Sequence, residues 1–112
     1  MAQQSVDFEV VRAMGAALSG VKDASGPRGI ALKVKGRLLA CAAIHRSAEP
    51  DTLMVSIAPE RRAELLAQDK QVFYLTDHYD PYPAILVRLS RVKRSVLERL
   101  LAESLEFMSA RQ

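Results

Sequence analysis

Two periods of hydrophobic residues divide this chain into elements. From about Val6 to Leu18 apolar residues recur at helical spacing, with Val10, Val11, Met14, Ala17 and Leu18 on one side. Ser5 is placed to cap this helix. Asp7 and Glu9 fall in its first turn, where the helix dipole favours carboxylates. Gly20 is placed to stop it. Gly26-Pro27-Arg28-Gly29 breaks the pattern. The period then falls to two. Ile30, Leu32 and Val34 alternate with Ala31, Lys33 and Lys35, which predicts a half-buried strand with a basic outer face. Gly36 marks a tight turn. Arg37 to His45 predicts a second strand, and its unbroken apolar run from Leu38 to Ile44 predicts burial on both faces. Ala40, Ala42 and Ala43 would let a helix pack closely there.

A polar turn from His45 to Asp51 leads to a third strand, Thr52 to Ile57, with Leu53, Val55 and Ile57 on one face. Pro59 and Glu60 suit the first turn of a helix that carries Ala63, Leu65 and Leu66 and ends near Asp69. Val72 to Leu75 predicts a short fourth strand. The loop Thr76 to Pro83 holds two prolines, which exclude regular structure. Ala84 to Leu89 predicts a fifth strand. Val92 to Met108 predicts the longest helix, its stripe formed by Val96, Leu97, Leu100, Leu101, Leu105 and Met108. This order predicts an α+β, two-layer architecture, α-β3-α-β2-α. Hairpin-length turns make the sheet largely antiparallel, with helices packed on one face.

Composition fits this picture. A chain of 112 residues suits one domain over 1–112. A domain of that size buries roughly two thirds of the surface its unfolded chain exposes, so it needs no metal or disulfide to fold. Cys41 is the sole cysteine, which agrees with a reducing compartment. The N-terminus is too polar for a secretory signal, and no apolar run approaches the ~20 residues of a bilayer span. A cytoplasmic protein without a membrane partner is expected.

Several local patterns resemble the MmcQ/YjbR family of small bacterial proteins. They are Asp7-Phe8 followed by Val11, Leu18-Ser19-Gly20-Val21, the hairpin Leu32 to Ala40, the Val87-Arg88-Leu89 strand and the closing Leu97 to Ser104 helix. The resemblance covers nearly the whole chain. It implies an α-β3-α-β2-α fold similar to type III secretion chaperones, and a "double wing" DNA-binding role. Many members carry a tryptophan-containing segment before the last strand. Here that segment reads Asp77-His78-Tyr79-Asp80-Pro81-Tyr82-Pro83, and the chain has no tryptophan.

Catalytic chemistry is not expected. Cys41 sits in an apolar strand, whereas a reactive thiolate wants an electropositive, partly exposed setting. His78 lies between Asp77 and Asp80, but no nucleophile motif accompanies it. His45 and His78 are far apart and match no zinc spacing. Gly26-Pro27-Arg28-Gly29 lacks a phosphate-loop pattern. No cofactor and no metal is expected.

Charge is the informative feature. Sixteen Lys and Arg face thirteen Asp and Glu, a net +3. From Ala24 to Ala48 no acid occurs, but Arg28, Lys33, Lys35, Arg37 and Arg46 do. From Ala84 to Leu97 the only charges are Arg88, Arg91, Lys93 and Arg94. On one positive face these would neutralise phosphates and release counterions. His78, Tyr79 and Tyr82 in the loop would add contacts to exposed bases. The plainer reading is a solvated face, with lysines guarding a sheet edge. DNA and another protein chain are the two partner classes expected.

Overall fold

A computed structural model describes residues 6–110. Helix α1 runs Phe8–Ala16. Its cap is Asp7, whose carboxylate accepts the Val10 N–H at 2.9 Å; Ser5 lies outside the described residues. The helix stops at Ala16, and Gly20, at φ +83°, turns the chain into a strand the apolar period does not reveal. That strand is β1, Val21–Asp23. It is followed by β2 Ala31–Val34, β3 Arg37–Ala42 and β4 Thr52–Ser56. Helix α2 is Pro59–Gln68, β5 is Phe73–Tyr74, β6 is Ala84–Arg88 and α3 is Arg94–Ala110.

The class is α+β, as expected, with one strand more than the apolar periods predict. All pairings are antiparallel, in the order β1-β2-β3-β4-β6-β5. Leu32, Ala40, Val55 and Ile85 stand in one row across the sheet, and Leu53, Val87 and Phe73 in a second. With Val11, Leu65, Leu97, Leu100 and Leu101 from the helices they form one buried cluster. All three helices therefore cover the same face. α1 comes so close that a Cβ on Gly15 would stand 2.6 Å from Leu32 Cδ1.

β3 is central in the order, but it is not buried on both faces. The register with β2 shifts between Leu32 and Lys33, a bulge that leaves Leu39 without a partner. Leu39 and Ala40 consequently both enter the core. Leu38 stays 38% exposed on the outer face, and Ile44, beyond the strand's end, is 61% exposed. An unbroken apolar run here reflects a bulge and an uncovered surface rather than a second layer of helices.

Candidate functional site

The strand register decides where each basic block lies. Lys35 and Gly36, both at positive φ, make the two-residue turn between β2 and β3. Lys35 and Arg37 thus stand exposed at one corner of the sheet. Lys33 pairs with Leu38 on one side and Lys22 on the other, so the two lysines are cross-strand neighbours on the outer face. Arg28 lies in the loop 26–29, at the other end of β2 beside Ala42. Among the described residues none of these five cations has an ion-pair or hydrogen-bond partner for its side chain.

Arg88 ends β6 and pairs with Thr52, in the row farthest from the hairpin tip. Strand spacing and rise put it about 20 Å from Arg37, so the two blocks occupy diagonal corners and not one contiguous face. Arg88 is also committed internally. Its Nε and Nη2 grip both Glu49 oxygens at 2.9 and 2.8 Å, and Nη1 donates to the Lys70 and Gln71 carbonyls. Its guanidinium lies 4.1 Å over the Tyr74 ring. Hydrogen bonding to Arg88 holds the Glu49 carboxyl below its ordinary value. Arg91 donates to Gln71 Oε1, and Arg94 is likewise engaged. Lys93 is exposed just before α3, and Arg46 is exposed next to His45.

The fold also joins residues that sequence spacing keeps apart. His45 and His78 stack face to face, centroids 3.6 Å apart and planes 5° from parallel. Tyr79 meets both rings edge-on. Its hydroxyl accepts the His45 backbone N–H at 3.2 Å, and the residue is only 7% exposed. Tyr82, by contrast, is 53% exposed. The Ser47 N–H points at His45 Nδ1 from 3.1 Å, so that nitrogen carries no proton, and the Ser47 hydroxyl donates to it at 2.8 Å. Thr76 Oγ1 continues the chain to Ser47 Oγ at 2.9 Å. Desolvation, the neighbouring His78 and Arg46 together lower the His45 pKa. Ring stacking and a hydrogen-bond relay thus tie the loop 43–51 to the loop 75–83.

Arg62 holds the second loop from the other side. Its Nη1 reaches the carbonyls of Asp80 at 3.1 Å, Tyr82 at 2.7 Å and Ala84 at 3.3 Å. Nothing in the sequence singled this arginine out. No group of three or more His, Cys, Asp or Glu that could hold a metal ion occurs among the described residues. Cys41 is half-buried, and desolvation raises its thiol pKa, which makes it a poor nucleophile. It lines an open apolar groove of about 460 Å³ with Leu38, Ile44 and Pro27. Arg28 is the only charged residue in that lining. No helix among the described residues is long and apolar enough to cross a membrane.

A crystal structure of the Deinococcus radiodurans protein DR2400, described as a DUF419 family domain, superposes with a TM-score of 0.77. The match covers 98% of this chain and 84% of that one at 22% identity. The fold is DUF419-like. DUF419 is the MmcQ/YjbR family, so the α+β class and the antiparallel sheet are those the sequence patterns implied. No family model matches the chain. In sequence, it is 42% identical over 40 residues to uncharacterized proteins of Mycobacterium tuberculosis and Mycobacterium bovis. That stretch is 36% of this chain and 31% of each relative, so the match spans about a third of their length.

Proposed function

We propose that this DUF419-like chain is a divergent MmcQ/YjbR protein and a non-catalytic module that binds the DNA backbone through the β2–β3 corner. One observation carries the reading. Lys22 and Lys33 stand opposite each other in register, with no carboxylate paired to either among the described residues. Like charges directly opposite on a sheet are destabilising, and a phosphate between them removes that repulsion. Lys35 and Arg37 extend the same uncompensated field. Arg88 stands outside this surface because its hydrogen bonds are already used, and Arg91 lies three residues beyond it, away from the hairpin tip. The test is binding to duplex DNA over a salt series, comparing the native chain with a Lys33→Gln/Lys35→Gln/Arg37→Gln variant. The log–log salt slope is expected to shrink by about 0.9 for each phosphate that no longer meets a cation. Absence of any binding at low salt, or an unchanged slope in the variant, refutes the reading.

The apolar groove favours a second reading, a protein partner. Leu38 and Ile44 beside Arg28 suit the apolar side chains of an acidic segment. Ile44→Asp would abolish such an interaction and leave DNA binding intact. If Ile44→Asp retains every partner that the native chain binds, this second reading fails.

A further inference from the structure

Between α2, β5 and the first half of α3 lies a cleft of about 270 Å³. It follows from helix geometry. On α3 the residues Val96, Arg99, Leu100 and Glu103 recur three and four apart and share one face. That face meets Arg61, Leu65 and Gln68 of α2, and the short strand β5 leaves the space beneath them open. Leu65, Val72, Phe73 and Leu100 form a buried apolar floor. Val96, 39% exposed, belongs to the wall of this cleft and not to the core stripe that its spacing suggested.

The charges of the lining do not balance. Arg61, Arg91, Lys93 and Arg99 face two acids, Asp69 and Glu103. Both acids are already engaged. Glu103 accepts from Arg61 Nε at 3.0 Å, and Asp69 Oδ1 accepts the N–H groups of Gln71 and Val72. Arg61 spends a second nitrogen on Glu64, and Arg91 donates to Gln71. Lys93 and Arg99 have no side-chain partner among the described residues. Two free cations therefore stand beside an apolar floor whose low-dielectric walls strengthen their field.

We infer that this cleft is a binding site for a small organic anion with an apolar body, of the class of a medium-chain carboxylate. The carboxylate meets Lys93 and Arg99, and the chain lies on Leu65, Phe73 and Leu100. A volume of about 270 Å³, close to the lower end of ligand pockets at roughly 300 Å³, suits a single small ligand. The opposite charge is disfavoured at the same place, because an ammonium would stand against the two unpaired cations. None of the residues that carry the DNA reading takes part in this site.

Octanoate and octylammonium, titrated into the whole chain by calorimetry and thermal melting, test it. Octanoate is expected to bind saturably and raise the melting temperature, while octylammonium of equal chain length does not. Lys93→Gln/Arg99→Gln should weaken octanoate binding by at least about tenfold, one charge-assisted hydrogen bond's worth. Both side chains are exposed, so that variant folds; Val96→Trp, which fills the cleft from its rim, should block octanoate independently. The Lys33→Gln/Lys35→Gln/Arg37→Gln variant should bind octanoate as the native chain does. Equal binding of the two amphiphiles, no saturable octanoate binding, or full retention in both cleft variants overturns the inference.

Discussion

At the scale of single residues, Lys35 is the most telling position. It occupies the first central place of a two-residue hairpin turn at φ 53°, followed by Gly36 at φ 78°. Such turns favour Asn or Asp before Gly, because a left-handed backbone crowds most side chains. A lysine here trades hairpin stability for a cation at the tip. Lys35→Asn should therefore raise stability by up to about 1 kcal/mol and weaken DNA binding, measured by denaturant unfolding and salt-series titration. A variant with neither greater stability nor weaker binding contradicts that trade. His45 makes the second residue-level case. Its folded-state pKa lies below the ordinary value, with desolvation the leading cause. The sign follows: the neutral ring contributes stability that is present above about pH 6.5 and is lost as pH falls through the lowered folded value. Protonation also sets an N–H at Nδ1 against the Ser47 N–H and places charge beside His78. Unfolding measured between pH 7 and 5 should show a decline that His45→Asn flattens; parallel curves would contradict it. Of these two positions only the glycine turn was legible in advance. The histidine stack joins two loops whose meeting depends on strand order, which local pattern does not encode.

Among the elements, the helices and most strands were legible because each buries one face, and a buried face imprints its period on the sequence. Phe8–Ala16, Pro59–Gln68 and Arg94–Ala110 all fall where apolar spacing puts helices, with ends shifted by one or two residues. β1 left no imprint. Val21-Lys22-Asp23 contributes one apolar residue and is held at an edge by backbone pairing with β2. The Arg12–Asp23 ion pair at 2.7 Å fastens it to α1. Asp23 is held down to about 2, first by hydrogen bonds from Ser25 and then by Arg12. β3 misled for the opposite reason, since its bulge puts Leu39 and Ala40 on the same side and breaks the alternation that would have shown an open outer face. The 75–83 loop has no period at all, and its order comes from the loop 43–51 on one side and α2 on the other. Arg62→Ala removes a charged donor from the Tyr82 carbonyl and should destabilise the fold by about 1–3 kcal/mol. Faster amide exchange at Tyr82 and Ala84 would accompany it in an exchange experiment. A variant as stable as the native chain, with unchanged exchange in the loop, would show that the arginine holds nothing.

Across the whole molecule, cohesion is graded from the middle of the sheet to its edges. β4 is paired with β6 over five residues and with β3 over three, and Leu53 and Val55 are fully buried. α3, the longest helix, packs on β3 and β4, with Leu97, Leu100 and Leu101 buried. The edges are slighter. β5 contributes two pairs, and β1 three pairs with exposed Lys22 and Asp23. Local opening requires breaking only the interactions of the opened part, so the free energy of exchange should fall from β4 outward. The β4 amides are expected to exchange only through global unfolding, while β1 opens more readily and carries Lys22 with it. This grading bears on function, because the proposed DNA surface spans β1 to β3 and would be ordered further by a bound polyanion. Native-state hydrogen exchange with and without a DNA duplex should show the β1 and β2 amides gaining protection while those of β4 stay unchanged. Uniform protection from β1 to β4 in the free chain would remove the grading. Gains confined to β5 and α3 would place the bound DNA at the opposite corner, beside Arg91 and Lys93.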